Sequence, residues 1–187
     1  MPKLGMEPIR RAALVKATIA EVGDAGSLDV SVSKIAKRAG MSSALAHHYF
    51  GGKDQIFVAA MRQILRDFGA QVVTALKAQP GNRAGAIVDA CFADECFAPA
   101  TISAWMTFYV QAQTNPDALR LLQLYQRRLR SNLTHALRGS AADPQEAADM
   151  LAALIDGFYI RAALAKPEAN ARAKVLKMLD ILTHGAA

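Results

Sequence analysis

Apolar residues recur at three- and four-residue intervals along almost the whole chain, the period of an amphipathic helix. No run alternates as a half-buried strand would, so the expected fold class is all-α. Read with the Gly and Pro positions as punctuation, the pattern predicts a first helix from about Pro8 to Val22, closed by Gly23 to Gly26. Two short helices follow. A long one starts near Lys53, carries Ile56, Phe57, Ala60, Ile64 and Phe68 on one side, and ends at Pro80-Gly81. Further helices are predicted over Arg83 to Cys96, Ile102 to Gln113, Asp117 to Arg138, Pro144 to Ala165 and Ala169 to His184. Pro144 stands at the first position of its helix, where a missing N–H is no loss. About nine helices result. The domain break is expected after Lys53, with one domain over 1–53 and a larger one over 54–187.

The segment Ser31 to Lys53, SVSKIAKRAGMSSALAHHYFGGK, carries the sharpest pattern. Val32, Ile35, Ala36 and Ala39 fall on one helical face, with Lys34, Lys37 and Arg38 on the others. Ser31 or Ser33 caps this helix, Gly40 ends it by taking positive φ, and Ser42 or Ser43 caps the next. Helix, tight turn and second helix make a helix-turn-helix, which lays its second helix in the DNA major groove. There Leu45 and Phe50 are the expected buried anchors, and Ala44, Ala46, His47 and His48 are left facing outward. Small side chains at Ser43, Ala44 and Ala46 let the backbone approach base edges, and an alanine methyl packs on a thymine methyl. His47 is placed for a base or a phosphate, and the Tyr49 hydroxyl for a phosphate. Lys53 adds its charge to the free N–H groups of a helix start. The candidate DNA-contacting set is thus Ser31, Ser33, Ser42, Ser43, Ala44, Ala46, His47, His48, Tyr49 and Lys53. A plainer reading keeps the serines as caps and the histidines as solvated surface.

Charge sharpens this picture. The formal net charge is +6, and residues 1–66 hold ten Lys/Arg against five Asp/Glu, so most of the excess flanks the candidate reading helix, as phosphate binding needs. The near-neutral remainder argues against a sequence-blind DNA-packaging protein. The opening MPKLGMEPIRR lacks an apolar h-region and is not expected to be a signal peptide. No apolar run is long enough to span a bilayer, and a cytoplasmic protein without membrane contact is expected. Cys91 and Cys96, five apart on a predicted helix, point in different directions and read as buried free thiols; no metal or cofactor is expected. There is no GxSxG, P-loop or HExxH, and His135 and His184 have no nucleophile or carboxylate constellation around them, so no enzyme is expected.

A three-helix reader followed by longer helices resembles the tetracycline-repressor-like (TetR) family of transcriptional regulators. Ile35-Ala36, Ala39-Gly40, Ser42, Tyr49-Phe50, Lys53 and Ile56 carry the likeness. Within the family the opening MPKLGMEPIRR and the segments 45–53, 104–113 (AWMTFYVQAQ), 127–133 (RRLRSNL) and 154–164 (LIDGFYIRAAL) are similar to the choline-responsive repressors of glycine betaine synthesis genes. The resemblance implies a homodimer that binds double-stranded operator DNA and is released by a small effector, choline or a related quaternary ammonium. A regulator of the same fold answering to a drug cation or an acyl compound is the alternative.

A quaternary ammonium has no N–H to donate, so proteins hold it with aromatic faces, at about 0.5–2 kcal/mol per ring, and a nearby carboxylate. Trp105, Phe108 and Tyr109 share one helix face at i, i+3 and i+4. Phe158 and Tyr159 lie beside Asp156, and Phe92 and Phe97 flank Asp94-Glu95. Convergence of the three groups would make an aromatic box, with Phe92, Glu95, Phe97, Trp105, Phe108, Tyr109, Asp156 and Tyr159 as candidate ligand-binding residues. Core packing is the alternative for the rings. Asp156 stands in an apolar run, where an ionised carboxylate needs an arginine (Arg127, Arg128, Arg130 or Arg161), a cap-like hydrogen bond, or a cationic ligand. Met150, Leu151, Leu154, Ile155 and Phe158, with Val175, Leu176, Leu179 and Leu182, give the last two helices wide apolar faces suited to a dimer interface or to ordinary core.

Overall fold

The structure is a computed structural model that describes residues 5–27, 29–164 and 170–185. The described residues form nine α-helices: α1 (Met6–Ala25), α2 (Val32–Arg38), α3 (Ser43–Phe50), α4 (Lys53–Ala78), α5 (Arg83–Cys91), α6 (Pro99–Ala112), α7 (Pro116–Leu137), α8 (Pro144–Leu164) and α9 (Ala171–His184). The expected α8 end at Ala165 and α9 start at Ala169 lie outside the described residues. None of the described helices is long and apolar enough to cross a membrane.

Contacts divide the chain into two compact units. One joins the residues up to Ile64 to Pro99–Leu119, and the other comprises Leu65–Ala98 and the residues from Arg120 on. In the first, Leu14, Val22, Ile35, Ile56, Met61, Ile102 and Phe108 are fully or almost fully buried. Its α1 packs along α6, and the approach is close: a Cβ at Gly23 would stand 2.6 Å from the Ala100 Cβ and 2.7 Å from its Cα. In the second, α7 turns Leu129, Leu133 and Leu137 inward at four-residue spacing, α8 adds Leu151 and Ile155, and α9 adds Val175. Asp89 of α5 binds Arg172 of α9 at 2.8 Å and Gln79 at 2.9 Å.

Two helix bounds differ instructively from the spacing. α5 was predicted to reach Cys96 but ends at Cys91. The Cys91 carbonyl, which a continuing helix would offer to the N–H four residues on, accepts the Tyr159 hydroxyl instead. Phe92 and Ala93 close the end with tighter bonds to the carbonyls of Asp89 and Ala90. α6 then starts at Pro99, earlier than Ile102, since proline suits a first helical position.

Candidate functional site

The reading head is built from α1, α2 and α3. Ser31 resolves the first cap: its Oγ accepts the Lys34 N–H at 3.2 Å, while Ser33 lies inside α2 and is exposed. Ser42 resolves the second, its Oγ accepting the Leu45 N–H at 3.2 Å, and Ser43 is the first residue of α3. Gly40, at φ +69°, turns the chain between them. Around it Gly40 N–H donates to Lys37 O at 3.1 Å and Met41 N–H to Ala36 O at 2.9 Å, the paired bonds of a Schellman ending. Arg38 fastens α2 to α1 through Glu21 (3.0 Å) and Asp24 (2.6 Å), and both partners raise the guanidinium pKa.

Ala44, His47 and His48 of α3 are exposed and Ser43 is half-buried, so one continuous face of the helix meets solvent. Ala46 corrects the expectation: it is fully buried, and its methyl packs into the head's core instead of facing outward. Leu45 and Phe50, the expected anchors, are only half-buried. The reason is close packing among short helices. α3 lies against both α1 and α2, and a small residue on that face lets the backbones approach. The spacing also hid the part of α1. Arg11 donates to the Tyr49 carbonyl at the end of α3 and stacks over the Phe50 ring at 4.3 Å. Arg10 donates to the Tyr49 hydroxyl at 3.5 Å. Arg11 thus meets the electronegative end of the helix, while Arg10 holds the Tyr49 side chain. The one sequence signal was the Arg10-Arg11 doublet so close to the start. His47 Nδ1 donates to Gly51 O at 3.2 Å, which leaves Nε2 for another partner. Lys53 is exposed at the start of α4.

The rings of the candidate ligand set gather in two groups. In the second unit Phe92, at the end of α5, meets Phe97 at 5.1 Å, Phe158 at 6.3 Å and Tyr159 at 6.3 Å between ring centroids. Phe97 meets Tyr159 edge-on at 5.3 Å. Two of the three expected ring groups therefore form one cluster, with half-buried Asp156 one turn before Tyr159 on α8. Glu95 is exposed on the turn between Phe92 and Phe97. The third group is a cluster within the first unit: Trp105 lies 5.4 Å from Phe108 and 5.9 Å from Tyr109, with Trp105 and Phe108 buried. Of the arginines considered for Asp156, Arg130 binds Asp149 at 2.6 Å. Cys91 and Cys96 are buried and unbridged. Burial pushes both thiols up, Cys96 to about 11, with nearby acidic groups adding to it.

A capped helix-turn-helix on an otherwise helical chain defines a DNA-binding transcriptional regulator. Residues 14–60 match the bacterial regulatory proteins of the tetR family, and residues 80–184 match the C-terminal region of BetI-type transcriptional repressors. The chain belongs to the tetR family and, within it, to the BetI-type repressors. It is 47% identical over 186 residues to the HTH-type transcriptional regulator BetI of Brucella melitensis, covering 97% of this chain and 94% of that one. It is 46% identical over 179 residues to BetI of Rhizobium meliloti, covering 94% and 88%. These relatives are transcriptional regulators, not enzymes. Among solved structures, a transcriptional regulator from Rhodococcus superposes with a TM-score of 0.83 at 21% identity, covering 94% and 97%. A regulator from Saccharomonospora viridis in complex with choline superposes at 0.77 with 20% identity, covering 93% and 95%. At those identities the likeness concerns the fold.

Proposed function

We propose that this repressor acts as a cytoplasmic homodimer, holds operator DNA when unliganded, and is released by choline or a related quaternary ammonium, so as to control genes of glycine betaine biosynthesis. The observation that carries the effector is the meeting of Phe92, Phe97, Phe158 and Tyr159 in one cluster beside the Asp156 helix turn. Ring faces and a carboxylate suit a cation that cannot donate an N–H bond. The choline complex of the Saccharomonospora regulator supports the same choice. By task, residues 1–53 read and 54–187 sense and dimerise. Ser31, Ser33, Ser42, Ser43, Ala44, His47, His48, Tyr49 and Lys53 meet the DNA; His47, with Nδ1 engaged, offers Nε2 to a base-edge donor. Choline lowers DNA affinity only so far as it binds the released state better, and a tenfold preference corresponds to about 1.4 kcal/mol of coupling.

Calorimetric titration with choline, beside its neutral carbon isostere 3,3-dimethylbutanol, tests the effector. Saturable binding of choline and none of the isostere is the expected result, with affinity falling at least about tenfold in Asp156→Asn, or about 1.4 kcal/mol. Protein that holds operator DNA but ignores choline would end the choline reading and leave the repressor. For the head, Lys53→Ala weakens binding to every sequence and lowers the salt slope, whereas His47→Ala changes sequence preference.

A further inference from the structure

α7 presents a face that neither DNA reading nor cation sensing uses. Opposite its buried leucines, Arg127, Ser131, Thr134 and Arg138 follow one another at three- and four-residue spacing. This row borders a cavity of about 570 Å³ within the second unit, which Arg83 at the start of α5 and Arg130 also line. Four guanidiniums and the His135 ring thus surround one space whose lining contains no carboxylate. Asp149 engages Arg130 from outside the lining, at 2.6 Å. Arg83, Arg127 and Arg138 have no carboxylate partner among the described residues.

Like charges gathered around a concave surface repel one another, and an anion placed among them relieves the repulsion. The planar guanidinium fork matches the paired oxygens of phosphate and carboxylate. Hydroxyls at Ser131 and Thr134 add neutral donors, and Leu76 and Ile87 contribute apolar surface. The volume is that of a small-molecule site and larger than an inorganic ion needs.

We propose that this cavity binds a small organic oxyanion with at least two negative charges, a phosphate ester or a polycarboxylate, at a site separate from the reading head and the ring cluster. It stands apart from the choline reading and survives its failure.

Calorimetric titration of the full chain at fixed ionic strength tests the site, with glucose 6-phosphate and citrate as probes and glucose as the neutral control. Saturable binding of either anion and none of glucose is expected. The responding probe distinguishes ester from polycarboxylate. In Arg127→Ala/Arg138→Ala the affinity falls at least about tenfold, while operator binding and melting temperature stay near those of the parent. Arg127→Lys/Arg138→Lys keeps the charge but loses the fork, and restores only part of the affinity. Lys53→Ala leaves anion binding unchanged. No saturable binding by about 10 mM of either probe, which is weaker than about −3 kcal/mol, overturns the proposal. Equal affinity in the alanine double variant also overturns it, as does loss of binding in Lys53→Ala, which would move the anion to the DNA-reading head.

Discussion

Ala46 and its neighbours on α3 show how much a single position decides. The helix exposes Ala44 and His47 and buries Ala46 completely, although both alanines looked equivalent by size and both were expected to face outward. Ala46→Leu forces extra methylenes into a closed core and destabilises the protein by about 1–3 kcal/mol. Ala44→Leu, on the exposed face, leaves the melting temperature close to that of the parent, within about 0.5 kcal/mol. Thermal denaturation of the pair checks this, and equal melting of both variants would contradict the burial. The cap residues, the Gly40 turn and the polar outer face were legible because they depend on local backbone chemistry. The exchange of Leu45 for Ala46 as the deepest residue was not, because it depends on how near α1 and α2 come.

At the scale of elements, helices were legible wherever a strong stop stood at their end, as Pro80-Gly81 does after α4 and Gly139 after α7. α5 escaped the pattern because what ends it, the Tyr159 hydroxyl on the Cys91 carbonyl, arrives from 68 residues away. The link between α5 and α9 was equally remote in sequence. Burial pushes the Asp89 carboxyl up, but hydrogen bonds from Arg172 and Gln79 outweigh it and hold its pKa below the ordinary carboxylate value. A depressed folded pKa gives stability that is fully present above the unfolded value, near 3.9, and is lost as pH falls through the folded value. Because Arg172 is largely exposed, solvent screening keeps the link small, and Asp89→Asn costs about 0.5–1 kcal/mol at neutral pH. Urea unfolding as a function of pH should show a constant gap between parent and variant above about pH 5 that closes below about pH 4. A gap unchanged at pH 3 would exclude the carboxylate as its source.

For the whole molecule, the proposed dimer bears on exposed apolar positions of α8 and α9. Met150 is 46% exposed, Leu164 81% and Ile181 38%, so both helices leave large apolar side chains to water. If this face joins two copies, Met150→Glu/Leu164→Glu halves the sedimenting mass and lowers operator affinity at least about a hundredfold, since each head then binds alone. A variant that still sediments as a dimer would place the interface elsewhere. The rings of the proposed cation site were visible in the sequence, but their company was not: Phe92 and Phe97 join the α8 rings, whereas Trp105 packs with Phe108 and Tyr109 in the unit that holds the reader. That grouping gives the Gly23–Ala100 crossing a practical meaning. A hybrid sensor spliced near Lys53 would seat a foreign first helix on this chain's α6, and any side chain at the position of Gly23 would strike Ala100. A graft that works must carry residues 99–119 along with the reader, or keep glycine at the crossing.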